Sequence, residues 1–159
     1  NETQLAEALK YVPLISNQVP YSMVKREIEE AVVPFCLQNH LSILAYSPME
    51  RGLLSGKIKA GHVFAEGDHR AGLWYFKPSN LEKVHEMLNA IRPIAESKNC
   101  SLAQLVLRWT IEQPGITIAL AGARNKAQAL ENAAAANVSL TPEEITAITA
   151  EVNKMKLVQ

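Results

Sequence analysis

The sequence predicts an α/β protein whose parallel strands are flanked by helices, and three observations carry that reading. Three short runs rich in branched apolar residues, 14–19, 41–46 and 116–121, alternate with longer amphipathic stretches. The last two runs are apolar almost throughout, as strands covered on both faces are. The connections between them are long enough for the crossovers that parallel pairing requires. At 159 residues and 48% hydrophobic content, the chain has room for a single domain, 1–159, with its own core.

The elements follow in chain order. Asn1-Glu2-Thr3-Gln4 is a helix start with neither a strand nor an initiator methionine before it, so the beginning of the protein is expected to be missing. Leu14 to Val19 reads as the first strand. Lys25 to Asn39 reads as a helix that Pro34, lacking an amide donor, must kink or restart. Leu41 to Tyr46 is the second strand. The segment from Lys57 to Pro78, with Phe64, Trp74, Tyr75 and Phe76, is too long for a plain connection and reads as a functional loop or lid.

Ser79 with Glu82 opens a helix to about Lys98, and Ser101 with Gln104 opens one to about Glu112, closed by Pro114-Gly115. In each pair the cap side chain satisfies a first-turn amide and is answered three positions later by Glu or Gln. Ile116 to Ala121 is the third strand. Asn125 with Gln128 opens the next helix, and Thr141-Pro142-Glu143-Glu144 opens the last with proline at its first position. Three such strands do not close a sheet.

Sixteen basic and sixteen acidic residues leave no net charge to draw in nucleic acid or an anionic membrane, so any anion site must be local. No apolar run approaches the length of a membrane span and the acidic, amphipathic start is not a signal peptide, so a cytoplasmic protein with no membrane partner is expected. Cys36 and Cys100 lie far apart without metal-ligand or C-x-x-C spacing and are expected as buried, reduced thiols. His40, His62, His69 and His85 show no i, i+4 pairing, so no metal site is expected.

Two strand ends carry the chemistry. Gly122, Ala123 and Arg124 lead into a helix beginning near Asn125, combining amide donors, a helix dipole and a bidentate cation where a phosphate fits. An ordinary strand-to-helix turn with a solvated arginine explains the same residues, and both readings stay open on local pattern. Ser47, Arg51, Ser55 and Lys57 form a second donor cluster suited to a diphosphate, with Gly52 and Gly56 permitting close backbone approach. The alternative is a loop merely stiffened by Pro48 and the glycines. The Gly52–Lys57 stretch is no P-loop, since its spacing is one residue short and Ile58 stands where Ser or Thr is required.

Tyr46 ends an apolar strand where its ring can lie on a planar heterocycle or simply serve the core. Gln18 needs a partner if buried, either a ligand amide or a neighbouring backbone group. Asp68-His69-Arg70 lies in a polar loop where solvation is the default, although Arg70 is placed to close over a phosphate. No Ser, Cys or Asp stands on a nucleophile elbow or beside an obvious base.

Asn17-Gln18-x-x-Tyr21, then Ala45-Tyr46-Ser47-Pro48 through Gly52-Leu53-Leu54-Ser55-Gly56-Lys57, then Gly122-Ala123-Arg124-Asn125 through Glu131-Asn132, resemble the aldo-keto reductase family in order and spacing. The resemblance covers essentially the whole chain. It is closest to the branch that includes many bacterial reductases and the potassium-channel β subunits. It implies the C-terminal part of a (β/α)8 TIM barrel, incomplete as given, with NADP(H) at the C-terminal ends of the strands.

In that picture Tyr46 stacks on the nicotinamide and Gln18 holds its carboxamide. Ser47, Pro48, Met49, Arg51 and Leu53, with Lys57, wrap the pyrophosphate, and Arg70 is placed to close over it. Arg124, beside Gly122 and Ala123, takes the 2′-phosphate, and Gln128, Glu131 and Asn132 line the adenosine pocket. The family reduces aldehydes and ketones by hydride transfer, using a tyrosine proton donor tuned by a lysine and an aspartate, with a histidine orienting the carbonyl. Those four residues belong to the family's first four strands, so no catalytic residue is carried over.

Two functions follow. The chain is the cofactor-binding portion of an NADPH-dependent reductase of small carbonyl compounds, or it is a non-catalytic half-barrel module that binds nucleotide or a partner. A typical barrel needs about 250 residues. An open three-stranded sheet exposes two edges, so association with itself or with its missing half is expected.

Overall fold

The structure, a computed structural model, describes residues 1–59 and 61–158. Three parallel strands, β1 (Ser16–Pro20), β2 (Ser42–Tyr46) and β3 (Ile116–Leu120), pair in the order β1-β2-β3. Gln18 stands opposite Leu44 and Pro20 opposite Tyr46, while Tyr46 stands opposite Leu120 on its other side. Being parallel, all three strands end on one rim of the sheet. The β2–β3 ladder slips between Ile43 and Leu44, where Thr117 is the extra residue and its hydroxyl accepts a hydrogen bond from the Ile43 amide at 3.3 Å. β1 begins later than the apolar run at Leu14 and continues to Pro20, after which the Tyr21 amide donates to the Tyr46 carbonyl at 3.2 Å.

The helices are α1 (Glu2–Leu9), α2 (Val32–Gln38), α3 (Pro78–Ser97), α4 (Leu102–Ile111), α5 (Lys126–Ala134) and α6 (Pro142–Lys154). Reciprocal capping boxes form at Asn1 with Gln4, Ser101 with Gln104 and Thr141 with Glu144. The Ser79 cap does not form. α3 already begins at Pro78, whose fixed φ suits the first helical position, so Lys77 is the cap and supplies no side-chain bond. The 25–39 stretch breaks into a 3-10 turn at Glu27–Glu29 and then α2, with Pro34 in the first turn, where its missing amide costs nothing.

One face of the sheet is packed. Ile43 and Ala45 of β2 are fully buried in the core that also holds Val33 of α2, Ile91 of α3 and Leu105 and Trp109 of α4. The opposite face departs from the expectation of two-sided cover: Tyr46 is 39% exposed, Ile118 47% and Leu120 38%. An apolar run is equally compatible with a strand covered by helices and one facing an open interior, and β3 is of the second kind.

The 57–78 segment is less free than a lid. Tyr75 and Phe76 are buried, and Phe64 and Trp74 pack against the core. Phe64 meets Phe76 edge to face with ring centroids 5.2 Å apart. Cys36 is buried as expected and Cys100 only half-buried, and both are free thiols. Among the described residues, no helix is long and apolar enough to cross a membrane, and no cluster of side chains is suited to a metal.

Candidate functional site at the strand ends

The rim where β2 and β3 end carries both sequence-predicted clusters. Tyr46 leaves its ring on the uncovered face, in line with Gln18 one residue pair deeper on β1. Gln18 is exposed, so the buried-partner argument does not apply to it. Its amide is available to a ligand on that face.

After Tyr46 the chain turns sharply. Ser47, Glu50 and Arg51 have φ of 56°, 39° and 55°, followed by Gly52 at 91°. Only glycine takes these angles without steric cost, and such strain concentrates where a loop must hold a fixed shape. The turn is tied by hydrogen bonds from the Glu50 amide to the Ser47 carbonyl at 2.9 Å and from the Gly52 amide to the Met49 carbonyl at 3.0 Å. Ser55 Oγ donates to the Gly52 carbonyl at 2.6 Å, which makes it a loop brace. Arg51 is exposed, whereas Pro48 and Leu53 are buried, so the Leu53 side chain belongs to the core and only its backbone faces the loop.

After β3, Gly122, Ala123 and Arg124 are exposed and Asn125 caps α5, accepting from the Gln128 amide at 2.9 Å. Gln128 does not answer that cap. Its Oε1 accepts the Arg124 amide at 2.8 Å, and Asn132 Nδ2 donates to the Gly122 carbonyl at 3.1 Å. Both side chains therefore hold the turn from behind. Glu131 accepts from Ser101 Oγ at 3.0 Å and lies 3.9 Å from Lys57 Nζ. That ion pair ties the end of the loop after β2 to α5, the helix that follows the turn after β3.

Arg70 grips Asp68 at 2.6 Å, and its Nη1 lies 3.5 Å from the Arg51 carbonyl, so it sits over the Arg51 loop with its charge already paired. The arginine holds the Asp68 carboxyl well below the usual carboxylate range.

Four residues absent from the sequence-predicted site adjoin it. Glu50 is a buried carboxylate that accepts from Ser22 Oγ at 3.3 Å and lies 4.0 Å from Lys25 Nζ. Tyr75 is pushed up to about 12, chiefly by burial and then by the negative charge of Glu50. Nothing in the local sequence marks Glu50, because its partners Ser22 and Lys25 stand more than twenty residues away. Among the described residues, concavities form between Met23, Trp74 and Leu157 and along α3 between Lys59, Glu82 and Arg92, and neither includes Tyr46 or Arg124. At the strand ends the sheet instead offers an open face, with Tyr46, Ile118 and Leu120 exposed.

A model of the Aldo/keto reductase family matches residues 1–153. The chain belongs to the aldo-keto reductase family. It is 34% identical over 142 residues to the NADH-specific methylglyoxal reductase of Escherichia coli, an alignment that covers 89% of this chain and 43% of that protein. It is 35% identical over 144 residues to an uncharacterized oxidoreductase of Mycobacterium tuberculosis, covering 91% of this chain and 44% of the relative. In structure it resembles the glycerol dehydrogenase of Gluconobacter oxydans with a TM-score of 0.89 at 29% identity, covering 96% of this chain and 46% of that one. A thermostable aldo-keto reductase in complex with the inhibitor epalrestat, 21% identical with a TM-score of 0.67, shares the fold. This aldo-keto reductase chain thus spans a little under half the length of these relatives, and its three parallel strands and flanking helices form an open part of the family's TIM barrel.

Proposed function

We propose that this chain is the NADP(H)-binding portion of an aldo-keto reductase that reduces small aldehydes or ketones. One observation carries the reading: Tyr46 and the Gly122–Arg124 turn end adjacent, paired parallel strands, and the Lys57–Glu131 pair ties the loop after β2 to the helix after β3. The residues fit a phosphorylated dinucleotide. An exposed aromatic ring, a strained loop with an exposed arginine, and a glycine-led turn with a second exposed arginine suit a nicotinamide, a diphosphate and a 2′-phosphate in turn.

When bound, the cofactor supplies the hydride. The chain's own part is to bind and orient. Tyr46 offers a flat stacking surface, Gln18 a carboxamide partner, the 47–53 loop with Lys57 an anion cradle, and Arg124 a 2′-phosphate contact. The carbonyl substrate and the proton donor belong to the complete barrel. The free thiols suit a reducing compartment, and we place the protein in the cytoplasm.

The E. coli relative's preference for NADH makes cofactor choice the point to test. Fluorescence titration is expected to show NADPH binding more tightly than NADH. Arg124→Ala should cost NADPH about 1.5 to 3 kcal/mol, the worth of a hydrogen bond to a charged group, and leave NADH nearly unaffected. Unchanged NADPH affinity in the variant removes the 2′-phosphate assignment, and equal wild-type affinities make the protein dual-specific. The uncovered sheet face, with Ile118 and Leu120 exposed, favours a second reading as a partner-binding module. Titration without any NAD(P)H binding would select it.

A further inference from the structure

We propose that Glu50 is a positioning residue for the dinucleotide: its buried carboxylate, held by Ser22 and Lys25 from the loop after β1, locks residues 50–52 in the left-handed shape that presents Arg51 to the diphosphate. The inference rests on reading the 47–53 loop as the diphosphate site.

Glu50 is only 1% exposed although the next residue, Arg51, faces solvent. A buried carboxylate needs compensation, and here it comes from another loop. Ser22 is itself fully buried. Its Oγ donates to Glu50 Oε1 at 3.3 Å and accepts the Val24 amide at 3.3 Å, so its own position is fixed. Lys25 Nζ lies 4.0 Å from the carboxylate and 5.7 Å from the centroid of the buried Tyr75 ring. One carboxylate therefore faces groups from three segments: the loop after β1, its own loop after β2, and the aromatic stretch before α3.

The backbone explains why an anchor is needed. Glu50 and Arg51 take φ of 39° and 55° without being glycine, and Gly52 follows at 91°. Two successive non-glycine residues in this region do not persist unless their surroundings over-determine them. A buried side chain with partners in a neighbouring loop supplies that constraint.

The test uses the whole chain and two variants, Glu50→Gln and the milder Ser22→Ala, which keeps the charge pair. Without ligand, amide hydrogen exchange of residues 49–54 is expected to accelerate in both, with α4 unchanged. With ligand, NADPH affinity should fall roughly tenfold or more in Glu50→Gln. Affinity for adenosine 2′-monophosphate, which has the 2′-phosphate but no diphosphate, should stay within about twofold. Equal weakening of both ligands would mean a general structural loss and would overturn the proposal, as would unaltered exchange in the loop. A wild-type chain that binds neither ligand refutes the dinucleotide reading, and loop exchange then still decides whether Glu50 orders the loop.

Discussion

Two buried polar side chains make measurable claims. Asn80 is fully buried at the start of α3; its Nδ2 donates to the carbonyls of Trp74 and Val158, each at 2.8 Å, and its Oδ1 accepts the Val158 amide at 3.0 Å. It staples the C-terminal tail to the aromatic segment. Asn80→Ala strands three backbone groups and is expected to cost about 2 to 3 kcal/mol in urea unfolding. A loss near zero would mean the tail is not docked. Tyr75 makes a claim about pH: its phenol is raised from an ordinary value of about 10 to about 12. The folded state holds this proton more tightly than the unfolded chain. The stabilisation is therefore complete below about pH 10 and is lost as pH rises through about 12. Tyr75→Phe should lose stability less steeply than the wild type over that alkaline range, and parallel urea midpoints would show that the phenol is not buried beside Glu50. Neither residue was legible in the sequence. Tyr75 read as part of a lid and Asn80 carried no signal, because their burial depends on contacts remote along the chain.

Elements were more legible, and their failures have local causes. The caps at Ser101, Asn125 and Thr141 were readable because capping is chemistry within one turn, which local sequence encodes directly. Ser79 misled because the neighbouring Pro78 already satisfied the requirement for a helix start. The strand runs were found but not their cover: Ile118 and Leu120 look like core by type and are exposed by position. Ser101 shows how one cap serves two elements, since its Oγ accepts the Gln104 amide at 3.2 Å and donates to Glu131 on α5 at 3.0 Å. Ser101→Ala is expected to lower stability by about 1 to 2 kcal/mol in thermal unfolding. It should also raise hydrogen exchange across α5. A drop in stability with α5 exchange unchanged would confine Ser101 to capping α4.

At the scale of the whole molecule, the family was legible from three motifs in order, because each motif is a short local run at a strand end. The open face was not, and it has a consequence for behaviour in solution. β1 and β3 are the two edges of the described sheet, and Leu120 and Ile118 on β3 adjoin Tyr46 and the half-buried Leu44 on β2 across one apolar surface. A parallel sheet is normally covered on both sides, and unpaired edges template further pairing. The balanced charge, sixteen basic against sixteen acidic residues, provides no net repulsion to oppose contact between copies. We therefore propose that the chain alone associates through this face, with the mean mass in light scattering rising with concentration. Ile118→Lys places a charge on the open face without disturbing the packed side, so it should shift the population toward monomer while leaving the unfolding midpoint at low concentration nearly unchanged. Monodisperse wild-type monomer over the same concentrations would show that the face is tolerated in water. Association untouched by Ile118→Lys would move the contact to the strand edges, where backbone amides and carbonyls do the pairing and side-chain charge matters less.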